Sequence, residues 1–196
     1  ARFRPPSKSF EDLIDGVETD VTCKRHDTFD QLYQYCLRVA SAVGLICIEI
    51  FGYRNPQARD YAVALGVALQ LTNIVRDVPV DLVGGRIYLP QEDMSQFGVS
   101  ERNLAAGLSG PVADLLAFEC NRARSYYRAS QDALPDEDAR SLVAAEIMSG
   151  IYLAILNRIE TQNYDIFSEV VRVPRPRRAV VAMQVWARVM ARGLIT

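Results

Sequence analysis

Leu69-Gln70-Leu71-Thr72-Asn73-Ile74-Val75-Arg76-Asp77-Val78-Pro79-Val80-Asp81 is followed, after a short break, by Gly85-Arg86-Ile87-Tyr88-Leu89-Pro90. In the first stretch Gln70, Asn73, Asp77 and Asp81 recur every three to four positions, the spacing that puts side chains on one face of a helix. Leu71, Ile74, Val75 and Val78 stand between them, so the same helix carries an apolar face. Acids in apolar surroundings are costly unless something positive meets them. Asp77 and Asp81 are one turn apart and can reach one cation. Magnesium takes one or two carboxylates and completes its shell with water and phosphate oxygens. The pattern points to a magnesium diphosphate site with Asp77 and Asp81 as ligands and Asn73 on the same face. Gln70 and Asn73 either hydrogen-bond a diphosphate or a metal-bound water, or form a structural amide pair inside a helical bundle. After the break, Arg86 is suited to bidentate phosphate contact; the alternative is pairing with Asp81 or Glu92. Tyr88 can donate to a phosphate oxygen.

The whole string resembles the second aspartate-rich motif of the squalene/phytoene synthase family, the head-to-head prenyl diphosphate synthases. Tyr35-Cys36-Leu37-Arg38-Val39-Ala40-Ser41-Ala42-Val43-Gly44 resembles another segment of the same family. Its small residues leave room beside a helix, and the resemblance implies a prenyl chain there, walled by Tyr35, Val39 and Val43. Ser41 stands where the family usually has Gly, which is expected to narrow the pocket. The resemblance also implies an all-α, isoprenoid-synthase-type antiparallel bundle. It implies a Mg2+-assisted transferase whose catalytic residues are Asp77, Asp81 and Tyr88, and whose substrate-binding residues include Gln70, Asn73 and Arg86. Phe51-Gly52-Tyr53-Arg54-Asn55-Pro56-Gln57-Ala58-Arg59 most resembles bacterial members of the hopanoid and squalene pathways. The implied reaction is head-to-head condensation of two farnesyl diphosphates to presqualene diphosphate. The alternatives are a phytoene synthase using geranylgeranyl diphosphate and a non-catalytic prenyl-lipid-binding or assembly relative. No GxGxxG fingerprint favours an NADPH-dependent step.

Two departures qualify the resemblance. Relatives commonly carry an acid directly before the last Asp of this motif, where this chain has Val80. The family's other aspartate-rich motif lies upstream of the segment resembling Phe10 to Asp20, and this sequence starts at Ala1. The expectation is one helical domain over 1–196, the C-terminal two thirds of a family domain, with N-terminal helices missing and no activity alone. Asp132 and Asp136 have helical spacing, but Pro135 places them in a turn.

Composition agrees with a globular domain: 196 residues, 49% hydrophobic and 23% charged. A net charge of −2 gives no electrostatic case for nucleic acid. No apolar run is read as long enough for a membrane span, and no signal peptide opens the sequence. Cys23, Cys36, Cys47 and Cys120 show no CxxC pairing and are read as reduced core thiols of a cytoplasmic protein. His26 is read as a loop residue without a catalytic role. Lipid substrates and products make peripheral contact at the inner membrane a further expectation. A homodimer is another, because apolar surface left by missing helices invites association.

Periodicity and caps predict five long helices. The first spans Thr28 to Phe51 and ends at Gly52; the second starts after the Asn55 cap and runs to about Val80, loosened by Pro79. A loop with short helical turns covers Tyr88 to Asn103. The third helix runs from Ser109 or Gly110 to near Pro135, the fourth from Glu137 to Tyr164 and the fifth from Ala179 to Arg192. Val173 to Arg178 reads as a basic connector, with Arg175, Arg177 and Arg178 facing solvent or an anion.

Overall fold

A computed structural model describes residues 6–22 and 24–192. The elements are α1 (Ser7–Thr22), α2 (Phe29–Cys36), a π-helical turn (Leu37–Ser41), α3 (Ala42–Phe51), α4 (Ala58–Val83), α5 (Gln91–Gln96), α6 (Glu101–Ala105), α7 (Gly110–Ala133), α8 (Val143–Thr161) and α9 (Arg175–Arg192). Among the described residues the sole β pairing is an isolated bridge between Arg25 and Ile87. The all-α bundle is the architecture expected from the sequence.

The axis of the bundle is α4. Its residues Tyr61, Leu65, Val67, Leu71, Ile74, Val75 and Val78 are buried, and it packs most extensively on α7. Two polar pairs inside the packing satisfy each other: the Thr72 and Tyr127 hydroxyls share a 3.0 Å hydrogen bond, and the Tyr61 hydroxyl donates to Glu146 at 2.8 Å. Two close approaches seat α4 against the helix before it. A Cβ on Gly66 would lie 2.6 Å from the Ser41 Cα, and one on Gly44 would lie 2.9 Å from the Ala62 carbonyl oxygen.

The predicted first helix is present but interrupted. Thr28 caps it by accepting from the Gln31 N–H, and Gly52 at φ 85° ends it. The π-helical turn between α2 and α3 went unforeseen; it widens the winding and turns the later side chains off the earlier face. Leu32, Tyr35 and Cys36 are therefore buried, whereas Val43 is 39% exposed.

Several boundaries move. Pro79 does not end α4, which continues to Val83 and keeps Asp81 helical. Asn55 does not cap α4 directly: its side chain accepts from the Gln57 N–H, and the helix begins at Ala58. Glu137 does not open α8. Residues Asp136–Asp138 form a single 3-10 turn, and Asp138 receives the N–H groups of Arg54 and Asn55 at 2.8 and 2.9 Å. The basic stretch is not a connector either: α9 already begins at Arg175, so Arg175, Arg177 and Arg178 lie on a helix. The sequence reading assigned no helix to residues 7–22, where α1 stands.

Two helical stretches, Phe29–Phe51 and Ala58–Val83, are long and apolar enough by composition to cross a membrane, which corrects the expectation that none was. In α4 that apolarity faces the bundle interior. Cys36 and Cys120 are buried, Cys47 is half-buried, and all three are free thiols; Cys23 lies outside the described residues. Burial pushes the Cys36 and Cys120 thiols up to about 12.

Candidate active site

An apolar cavity of about 260 Å³ lies between α3, α4 and α8. Val39, Ala40, Val43 and Gly44 form one wall, Leu65, Gly66 and Leu69 of α4 another, and Met148 and Tyr152 of α8 a third. Its polar lining comes from Gln70 and Asn73, placed on α4 by the helical spacing. The next two turns of that face carry Asp77 and Asp81. A water-excluding slot thus leads into a row of oxygen donors.

Ser41 does not line this cavity. Its hydroxyl donates to the Val63 carbonyl at 2.9 Å in the seam against Gly66, so it fastens α4 rather than narrowing the pocket. Tyr35 is also displaced from its expected wall. It is buried in an aromatic group with Tyr88, at 5.4 Å between ring centroids, and His26, also at 5.4 Å. His26 is itself 3% exposed rather than a solvated loop residue, and burial lowers its pKa.

Around Asp77 and Asp81 the charges are unevenly matched. The Arg76 guanidinium curls back onto the neighbouring Asp77, with hydrogen bonds of 2.8 and 2.6 Å. Adjacent residues do not share a helix face, but the long arginine stem bridges them. Asp81 receives no side-chain hydrogen bond among the described residues. Burial first, then the Asp77 charge, pushes its carboxyl up to about 6, while Arg86 and Arg76 oppose the rise. Arg86 forms no ion pair among the described residues; the Glu92 carboxylate accepts instead from the Phe29 N–H. The guanidinium of Arg86 therefore remains available to an anion near Asp81.

Sequence reasoning missed two residues of this region. Asp20 of α1 accepts from the Tyr88 hydroxyl at 2.8 Å and adds its field to that on Asp81. Tyr152 of α8 lines the cavity and stands beside the Arg76 guanidinium. Neither sits in a local motif; each arrives from another helix, so spacing carried no signal. Tyr88 is pushed up to about 12 by burial and Asp20, and Tyr35 is raised further by the same causes, so both phenols keep their protons.

Among the described residues no group of three or more His, Cys, Asp and Glu side chains is placed to hold a metal. The donors that are present nonetheless suit magnesium: two carboxylates and an amide oxygen, all hard oxygen ligands. The Asn73 Oδ1 is buried without a hydrogen-bond partner, while its Nδ2 donates to the Gln70 Oε1 at 3.5 Å. An orphaned acceptor one turn before Asp77 is what a cation or a bound donor would satisfy.

The helical bundle and its acid-and-amide face over an apolar cavity define the class, an all-α isoprenoid synthase fold. The squalene/phytoene synthase family model matches residues 1–189, and the chain belongs to that family. It is 38% identical over 196 residues to the 15-cis-phytoene synthase of Synechococcus elongatus, covering 91% of this chain and 62% of that protein. It is 36% identical to a phytoene synthase of Mycobacterium tuberculosis, covering 92% and 61%. A crystal structure of a dehydrosqualene synthase in complex with ligand superposes with a TM-score of 0.84 at 30% identity, over 96% of this chain and 67% of the other. The squalene synthase HpnC from Alicyclobacillus acidocaldarius gives 0.71 at 31% identity, over 82% and 61%. The chain thus spans about six tenths of the length of these two curated relatives.

Proposed function

We propose that the full-length protein joins two prenyl diphosphates head to head, farnesyl diphosphate in the main reading, to give presqualene diphosphate. The observation that carries this is the junction of an apolar cavity with the Asn73, Asp77, Asp81 face of α4. An amphiphile with a hydrocarbon tail and a diphosphate head matches both parts. Val39, Val43 and Leu69 would exclude water from the tail, and Gln70 and Asn73 would orient the head. Arg86 would meet the diphosphate directly, and Tyr88, whose one O–H is donated to Asp20, would turn from that acid to donate to the diphosphate. Asp77, Asp81 and Asn73 would hold Mg2+, which supplies charge neutralisation for the departing diphosphate. In the overall step the C1–O bond of one donor breaks and diphosphate leaves. The double bond of the second donor attacks the allylic cation, a cyclopropane closes and one proton is lost. Among the described residues the cavity lining holds no Asp, Glu, His or Lys, so the released diphosphate is the proton acceptor. An apolar, water-poor wall protects the cation meanwhile.

A second reading, phytoene synthase chemistry with geranylgeranyl diphosphate, is favoured by the names of the curated relatives cited above. Both donors fit the same acid-and-amide face, and chain length is set by cavity depth. The test is to incubate the full-length protein with Mg2+ and each donor in turn, without NADPH, and identify dephosphorylated products by mass spectrometry. Presqualene alcohol from the farnesyl donor supports the main reading. Phytoene or its cyclopropyl precursor from the longer donor promotes the second. No product from either, with the protein folded, points to a non-catalytic relative that binds prenyl lipids.

A further inference from the structure

The last described helix, α9, has two faces of different character. Val185 and Val189 point inward and are buried against α8 and Ala139, where Gly150 lets the helices close: a Cβ on it would lie 2.8 Å from a Val185 methyl and 3.2 Å from one of Val181. With about 3.6 residues per turn, Val180, Met183 and Ala187 fall on the opposite side, and Trp186 and Ala179 fall on its flank beside the half-buried Met190, which packs on the Val185 cluster. Val180 is 49% exposed, Met183 68% and Trp186 54%. No charged residue interrupts that outward sector. Arg177 and Arg188 border one edge and Arg175 the other. The helix contains no Asp or Glu, although the whole sequence carries a net charge of −2.

A solvated helix would put its charges where the exposed Met and Trp are, because exposing large apolar side chains to water is unfavourable. An apolar strip with an aromatic residue and bordering arginines is the pattern of a helix lying in the plane of a bilayer surface. Anionic headgroups attract the arginines, and the strip enters the acyl boundary. The positive charge also argues against a second copy of this helix, since two α9 faces would bring like charges together.

We infer that α9 is a docking helix for an anionic lipid surface, inserting Val180, Met183 and Trp186 while Arg175, Arg177 and Arg188 meet phosphate headgroups. This inference stands apart from the assignment of the prenyl donor, because it uses no residue of the cavity. Its consequence is that the protein works at the membrane where prenyl lipids dissolve.

The test is co-sedimentation of the full-length protein with vesicles of phosphatidylcholine alone and of phosphatidylcholine with phosphatidylglycerol. The protein should sediment with the anionic vesicles and not with the neutral ones, and added salt should release it. The double variant Arg177→Glu/Arg188→Glu should weaken binding at least about tenfold, and Arg177→Lys/Arg188→Lys should retain it. Met183→Ser/Trp186→Ser should also weaken binding without changing Tm, since both side chains are exposed. Brominated lipids should quench tryptophan fluorescence in the wild type, and the quenching should fall in Trp186→Phe. Absence of binding, equal binding to neutral vesicles, or binding indifferent to these variants would overturn the inference. A lipid-free dimer abolished by Met183→Ser/Trp186→Ser would overturn it too, assigning the face to a second copy.

Discussion

Two clusters of acids with arginine sit in this molecule and are treated in opposite ways. In one, Arg122 of α7 lies between Asp93 and Glu119, hydrogen-bonded to both at 2.7 Å, and stacks under Phe29 and Phe118 with its guanidinium carbon 4.1 and 4.6 Å from the ring centroids. Both acids are nearly inaccessible, at 4% and 2%. In the other, among the described residues, Asp77 is held by Arg76, the Asp81 carboxylate receives no side-chain hydrogen bond, Arg86 forms no ion pair, and the Asn73 oxygen is orphaned. The first cluster satisfies itself and needs nothing from outside. The second is incomplete in a specific sense: its orphaned amide oxygen lines the apolar cavity, and Asp81 and Arg86 share a small crevice further along the same helix. A folded protein tolerates such unmet polar groups where a ligand completes them.

The largest effect that separates the clusters is expected from Arg122→Ala. It leaves two buried carboxyls facing each other and should lower stability by about 3–5 kcal/mol, read by denaturant unfolding. A change under about 1 kcal/mol would mean that the buried cluster is solvated and the contrast false. Asp81→Asn should do the reverse. Turnover with Mg2+ and prenyl diphosphate should fall about a hundredfold or more, a loss of the size seen when a group that stabilises transition-state charge is removed. Its Tm should hold or rise, because the substitution relieves repulsion with Asp77. A large fall in Tm would show that Asp81 is structural.

The pH dependence tests the buried cluster further. Burial pushes Glu119 up to about 7 in the folded protein, from an ordinary carboxylate value of 4.5, despite the opposing Arg122. The folded state therefore binds this proton more tightly than the unfolded state. Stability from this group is present below pH 4.5 and is lost as pH rises through about 7, with a slope approaching about 1.4 kcal/mol per pH unit at most. In Glu119→Gln that part of the slope should vanish in denaturant titrations at several pH values. If the slope persists unchanged, the proton resides elsewhere. The smallest effect is expected from Val80→Asp. Val80 is 59% exposed, so the substitution costs little stability. An added acid beside Asp81 should lower the Mg2+ concentration for half-maximal turnover by no more than about tenfold; no change would show that the two flanking carboxylates suffice.

The oxygen-donor face of α4 was legible because it is local. Gln70, Asn73, Asp77 and Asp81 need only the helical repeat to meet, and Thr28 and Gly52 signalled their helix ends through capping and a left-handed turn. The misread elements depend on distant partners. Helix α1 did carry a periodic signal that the sequence reading passed over: Phe10, Ile14, Val17 and Val21 recur at helical spacing, but that stripe is exposed, and its packed side lies against the π-helical turn, where a Cβ on Gly16 would meet Val39 at 2.8 Å. The π-helical turn itself has no sequence mark, and it is what moved Tyr35 away from the cavity wall and into contact with Tyr88 and His26. Ser41 was assigned to the pocket because its neighbours line it, yet its side chain points into the seam with α4.

By itself, the sequence determined the all-α class and the row of donors on α4, which follow from residue spacing along one chain, and it pointed to the family through the motifs it resembles. Only the tertiary structure decided that Asp20 and Tyr152 join that row, that Arg76 closes on Asp77, and that α9 turns an uncharged apolar strip outward between arginines. Those relations are set by which helices pack side by side. Packing depends on close approaches such as Gly66 against Ser41, which no periodicity encodes.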